Sequence, residues 1–125
     1  MRKPVVTDQA PKPVGPYSQA ILDGDTIYVA GQGPGNPHTG QLELGDVPSQ
    51  TRRTLDNMKA ILEAAGSSLD KVLRCNVYLK DINDFAAMNQ VYATYFTAPA
   101  PARTTIQAGA LPGGISVEID CIAKR

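Results

Sequence analysis

The sequence predicts an α+β fold: a sheet of about six strands with two helices packed on one face, in the order β-β-(β)-α-β-α-β-β. Three observations lead there. Asp23-Gly24-Asp25 sits between two short apolar runs and marks a tight hairpin, because glycine supplies the positive φ that such a turn needs. Two stretches, one from Asp46–Pro48 to Gly66 and one from Asn83 to Phe96, repeat apolar residues at helical spacing. Two others, Lys71 to Lys80 and Ile115 to Ala123, alternate apolar and polar residues, the period of a sheet with one buried face. With 125 residues and no internal repeat or linker, the chain reads as a single domain over 1–125.

Each element has its local reason. The hairpin arms are Ser18 to Leu22 and Thr26 to Ala30. Gly31 to Gly40 reads as an irregular loop and Gln41 to Leu44 as an optional short strand. The first helix starts near Asp46 to Pro48. Asp46 can accept from a first-turn N–H, and Pro48 fits there because its missing N–H would have no partner. Leu55, Met58, Ile61, Leu62 and Ala65 form the apolar stripe, and Gly66 suits the left-handed residue that ends the helix. In the next strand Leu73, Cys75, Val77 and Leu79 face inward, opposite Arg74, Asn76, Tyr78 and Lys80. The second helix takes Asn83 as its cap and turns Phe85, Met88, Val91, Tyr92 and Tyr95 inward. Two prolines make Thr97 to Ala102 a loop, and Arg103 to Ala108 is a strand. Leu111 to Gly114 turns the chain. Ile115, Val117, Ile119, Cys121 and Ala123 then line the inner face of the last strand, with Ser116, Glu118 and Asp120 on the other.

Composition narrows the function. Twelve Lys+Arg balance twelve Asp+Glu, a formal net charge of zero, where a nucleic-acid-binding domain normally carries a basic excess. Cys75 and Cys121 form neither a disulfide framework nor a zinc pattern, and they read as small buried hydrophobes. No apolar run approaches the roughly 18 residues of a membrane span. Met1 to Pro13 has no apolar stretch of the secretory kind, so a cytoplasmic location is the expectation.

Few residues offer chemistry on their own. Gly31-Gln32-Gly33-Pro34-Gly35 is glycine-rich, but no helix follows it closely, so it reads as a loop bordering a pocket or turning the chain rather than a phosphate loop. His38, the only histidine, lies in a polar loop and reads as exposed; it supplies neither a triad nor a metal site. Arg103 opens an otherwise uncharged strand. It either caps a sheet edge or pairs with a neighbouring acid, or it presents a guanidinium fork to a substrate carboxylate. Glu118 is a surface charge if its face meets solvent. If that face lines a cleft, it is a carboxylate able to orient or deprotonate water. Asn89, beside the apolar stripe of the second helix, needs partners if buried.

Gly15-Pro16-Tyr17-Ser18-Gln19-Ala20, Gly31-Gln32, Asp81-Ile82-Asn83-Asp84-Phe85, Pro101-Ala102-Arg103 and Val117-Glu118-Ile119 together resemble the signature segments of the RidA family (YjgF-type, reactive intermediate deaminases). The resemblance runs from about Ala10 to Ala123. It implies a chorismate-mutase-like fold with a mixed sheet, and a homotrimer with ligand sites in clefts between subunits. It also implies a 2-iminobutanoate/2-iminopropanoate deaminase. Such an enzyme hydrolyses 2-aminoacrylate and 2-aminocrotonate, released by pyridoxal-phosphate enzymes, to 2-oxo acids and ammonia without metal or organic cofactor. By position, Arg103 would grip the substrate carboxylate and Glu118 would hold and polarise the attacking water. Tyr17 and Asn89 would line the pocket, and the Gly31 backbone would position the water or amino group. Thr105 stands where some relatives carry Cys, which excludes a cysteine nucleophile and leaves a backbone role intact. Two other functions compete: a non-catalytic trimer that binds 2-oxo acids, and an endoribonuclease, a label that some relatives carry. Against the first, an acid beside Arg103 would repel a carboxylate ligand. Against the second stand the zero net charge and the single loop histidine.

Overall fold

A computed structural model describes residues 1–125. The predicted hairpin forms from β2 (Ala20–Asp23) and β3 (Thr26–Gln32), closed by Gly24-Asp25. Gly24 takes φ 60° at the first central position and Asp25 keeps an ordinary φ, the sign pattern of a type II′ turn. A short N-terminal strand that the sequence did not signal, β1 (Lys3–Val5), pairs antiparallel with β2 and buries Val5. The remaining strands are β4 (Val72–Leu79), β5 (Ala102–Gln107) and β6 (Val117–Lys124). The sheet order is β1-β2-β3-β6-β4-β5. Only β4 and β5 run parallel, because a helix connects them; every other pair is antiparallel, so the sheet is mixed.

The first helix, α1 (Val47–Ala64), begins where the sequence placed it: the Asp46 side chain accepts from the Ser49 N–H at 2.9 Å. Gly66 takes φ 79° just past its end. The second helix, α2 (Phe85–Tyr95), has a different entry from the expected one. Asn83 is not its cap. Asp81 accepts from the Asn83 N–H at 2.9 Å and starts a single 3₁₀ turn, Ile82–Asp84, which feeds the helix. Both helices cover one face of the sheet. Ile27, Val29, Cys75, Val77, Leu79, Val117, Ile119, Cys121 and Ala123 from the strands meet Leu55, Met58, Ile61, Leu62, Met88 and Tyr92 from the helices in one core. The cysteines are buried, as expected, and oppose each other across β4 and β6.

Three local expectations fail for one reason: irregular pairing leaves no trace in periodicity. Leu73 does not face inward; the β4–β6 register shifts between Val72 and Arg74, so Val72 enters the core and Leu73 is half exposed. The optional strand at Gln41 to Leu44 reduces to a single bridge between Gly35 and Leu42. The segment from Gly31 does not leave the sheet at once. Val29 pairs with Cys121 and Gln32 with Ile119, so one extra residue is inserted in β3 around Ala30 and Gly31. That β-bulge sits beside Glu118.

Candidate active site

Register assigns each polar strand residue to a face. Tyr78 pairs with Glu118 and Asn76 with Asp120, so these four stand on the face without helices. At the bulge, the Gly31 backbone lies against Glu118. A Cβ added at Gly31 would sit 2.5 Å from a Glu118 carboxylate oxygen, so only glycine leaves the acid in place. Glu118 is half-buried, and burial pushes its carboxyl above the usual carboxylate range, with the Asp120 charge adding to the rise. Asp120 accepts from Tyr78 Oη and Asn76 Nδ2, both at 2.9 Å.

A cleft of about 640 Å³ opens beside this pair. Tyr17, Gly31, Gln32 and Glu118 line its floor and wall, and Lys12 and His38 stand on its rim. His38 is exposed, as the sequence suggested. Gln19 shapes the N-terminal wall: its amide accepts from the Thr7 N–H at 2.8 Å and donates to the Ala10 and Pro11 carbonyls at 3.2 and 2.9 Å.

The other predicted site residues lie elsewhere. Arg103 pairs with Cys75 and Thr105 with Val77, so both point to the helix-covered face, at the edge strand β5. The Arg103 guanidinium rests on the Tyr92 ring at 4.6 Å, with Phe85 at 5.4 Å. The only ion pair of the chain joins the N-terminal ammonium to Asp23 at 3.7 Å, so Arg103 has no carboxylate partner. Arg103 lies on the edge strand, and no neighbouring acid pairs with it. Around Arg103, Asn89 Oδ1, Thr105 Oγ1 and the Tyr92 hydroxyl are buried and unpartnered, although buried polar atoms are normally bonded. Burial and the neighbouring Cys75 thiol push the Tyr92 phenol far up, so it stays a neutral hydroxyl.

The six predicted residues therefore fall into two half-sites. Tyr17, Gly31 and Glu118 share the cleft on the open face, whereas Arg103 and Thr105 lie on the β5 edge on the helix face, and Asn89 falls on the same side of α2 as Phe85 and Tyr92, the rings against Arg103. Within one chain the sheet separates the guanidinium from the carboxylate. Periodicity placed Glu118 opposite the core residues of its strand, but the pairing of Arg103 with inward Cys75, and with it the separation, did not follow from sequence. The sequence reading also missed the bulge and the buried amides Gln19, Gln50 and Asn57. A signal existed for Asn57, which falls inside the Leu55, Met58, Ile61 stripe.

Chemically, one half-site offers a cation with free donors among unpaired polar atoms, fit for a small carboxylate. The other offers a carboxylate whose ionised form is disfavoured, fit to hold water and exchange a proton.

Comparison with known proteins agrees with this architecture. A family model described as Endoribonuclease L-PSP matches residues 7–125. A RutC family protein from Pyrococcus horikoshii is 52% identical, over all of this chain and 99% of that one. The 2-iminobutanoate/2-iminopropanoate deaminase of Escherichia coli K12 is 42% identical over all of this chain and 99% of its own length. The crystal structure of RidA from an Antarctic Psychrobacter superposes with a TM-score of 0.95 at 43% identity, covering 98% of this chain and 99% of that one. A shared architecture, a match to nearly the whole chain and relatives at this level of identity place the chain in the RidA (YjgF-type) family.

Proposed function

We propose that this protein hydrolyses 2-imino acids, chiefly 2-iminopropanoate and 2-iminobutanoate, to 2-oxo acids and ammonia, at sites completed between subunits of a homotrimer. One observation carries the reading. A guanidinium without a carboxylate partner and a half-buried carboxylate held against Gly31 occupy opposite faces of one sheet. If the open face of one subunit meets the β5 edge of the next, the two half-sites become one pocket of suitable composition. The 42% identity to a protein named for this reaction supports the same reading.

In that pocket Arg103 takes the substrate carboxylate with its two-pronged fork. Asn89 Oδ1 and Thr105 Oγ1 lack partners and can bond to the bound substrate. Glu118 accepts a proton from a water molecule as that water attacks the imine carbon and passes it to the nitrogen, giving a carbinolamine. Glu118 then takes the hydroxyl proton and delivers it to the amine, the C–N bond breaks, and ammonia leaves as the C=O forms. The Gly31 backbone fixes the carboxylate beside the reacting carbon, and Tyr17 closes the cleft. An enamine such as 2-aminoacrylate enters the same route after protonation at its methylene carbon. The chemistry needs orientation and one proton carrier, both available from these residues.

The test couples a serine- or threonine-consuming pyridoxal-phosphate enzyme to this protein, with semicarbazide competing for the imine, and follows 2-oxo-acid release. Acceleration by the wild type that Arg103→Ala and Glu118→Ala abolish is the expected result. Binding of pyruvate without acceleration would instead leave a 2-oxo-acid-binding protein. Because the family model bears an endoribonuclease description, RNA cleavage is measured on the same preparations. Cleavage that survives Arg103→Ala and repeated purification would replace the deaminase reading.

A further inference from the structure

Helix α1 buries two amide side chains that the reaction does not use. Gln50 and Asn57 are 2% and 0% exposed. Seven residues apart, they lie on one face, two turns or about 10 Å of helix rise from each other. A buried amide is costly unless bonded. These two are bonded, and each to a segment at the cleft. Asn57 Nδ2 donates to the Gly33 and Gly35 carbonyls at 3.1 and 2.8 Å. Both glycines line the cleft just after the bulge at Gly31. Asn57 Oδ1 accepts from Arg53 Nε and Nη2 at 3.2 and 2.9 Å, which fixes the direction the amide faces. Gln50 Oε1 accepts from the Ser116 N–H at 2.8 Å, and its Nε2 donates to the Gly45 carbonyl at 2.8 Å and to Ser116 Oγ at 3.3 Å. Ser116 stands two residues before Glu118. The two tethered segments also touch: a Cβ at Gly33 would meet Ile115 at 3.0 Å.

We propose that Asn57 and Gln50 are positioning residues. Together they make α1 a rail that holds the segment after Gly31 and the segment before Glu118 in register, so that the glycine backbone and the carboxylate keep their contact. The inference rests on reading Gly31 and Glu118 as part of the reacting site. It adds that the site's geometry is set from a helix on the opposite side of the sheet. A displacement of about 1 Å at a reacting group is enough to cost about a hundredfold in rate.

The test compares Asn57→Asp, Gln50→Leu and Arg53→Gln with wild type. Asn57→Asp keeps the shape and the acceptor for Arg53 but loses both donors. Val72→Ala, at the far end of the sheet, serves as a destabilised control. Each is assayed for imine hydrolysis well below its melting temperature across pH, and amide hydrogen exchange is followed over residues 31–42 and 115–118. Asn57→Asp and Gln50→Leu are expected to lose about tenfold or more in kcat/KM. Their acid limb should move to lower pH, because water reaching Glu118 relieves its burial. The groups facing Glu118 stay the same: Asp120 on its own strand, Tyr78 on β4, and Tyr17, Lys12 and His38 around the cleft. Exchange at 31–42 should quicken in Asn57→Asp, and Arg53→Gln should show part of each effect. Val72→Ala should keep the wild-type profile. If Asn57→Asp does not fold, Gln50→Leu and Arg53→Gln carry the comparison. Folded variants with wild-type kcat/KM and pH profile would overturn the proposal. If the wild type itself hydrolyses no imine, the reading of the site fails instead; the exchange data then judge the rail alone, and unchanged exchange overturns it.

Discussion

The Arg103 guanidinium gains about 0.5–2 kcal/mol from an aromatic face beneath it, without occupying any of its N–H donors. It is thus held in place yet open to a carboxylate. Arg103→Ala is expected to raise KM by about 100-fold or more, the worth of two charge-assisted bonds, so that no acceleration is left at the imine concentrations generated in situ. Arg103→Lys should recover only part of this, since an ammonium lacks the planar fork. Steady-state kinetics on generated imine checks both. At Gly31 the atom in the way of a Cβ is the end of a flexible side chain, so Gly31→Ala should leave the melting temperature nearly unchanged while displacing Glu118. A fall of about tenfold or more in kcat/KM with a normal thermal melt is the expected result. For Glu118 the sign of the linkage is clear. Its folded-state pKa is raised, so the native state favours the protonated form and loses stability as pH rises through that pKa. Glu118→Gln should therefore be more stable than wild type at pH 7, on the order of half a kcal/mol after solvent screening, and inactive. The advantage should vanish near pH 4, where the unfolded carboxyl also protonates, as melts at the two pH values would show.

Elements that obey simple periodicity were legible: the hairpin, α1 with its Asp46 cap and Gly66 stop, and the alternation of β6. Asp46→Ala should lower the melting temperature at neutral pH, whereas Asp46→Asn should retain most of it, because either side chain can accept from the Ser49 N–H. The Asp46 carboxyl is held below its ordinary range by the Ser49 backbone and hydroxyl. Its share of stability is therefore present at neutral pH and lost as pH falls through its folded pKa, a loss absent from the Asn variant. Elements with an inserted residue were not legible. Bulges at Ala30–Gly31 and at Leu73 preserve the composition of a strand while shifting which residues oppose each other, and Asp81 displaces Asn83 as a cap through a 3₁₀ turn.

At the scale of the molecule, one chain covers a single face of its sheet. The other face carries half-exposed Tyr28 and Ile106 around the acid pair. If subunits complete each other's sites, two inactive variants should rescue one another. In trimers mixed at random from Arg103→Ala and Glu118→Ala chains, about a quarter of sites would combine an intact arginine with an intact glutamate. Co-expression followed by the imine assay should restore about that fraction of activity, while either variant alone stays inactive. Absence of rescue in verified mixed trimers, or a monomer in sedimentation at micromolar concentration, would remove the shared site.

The amino-acid sequence by itself determined the class of fold, the two helices and most strand limits, because these follow from the local period of apolar residues and from capping and turn chemistry. It also pointed to Arg103, Glu118, Tyr17, Gly31, Asn89 and Thr105 through a resemblance spread along the whole chain. Tertiary structure alone decided how those residues are divided. Which face Arg103 takes depends on its register with Cys75, forty-six-residue pairings such as Cys75 with Cys121 depend on the closed sheet, and the contact of Gly31 with Glu118 depends on one extra residue in β3. Those are properties of pairing between distant segments, and a one-dimensional pattern has no term for them.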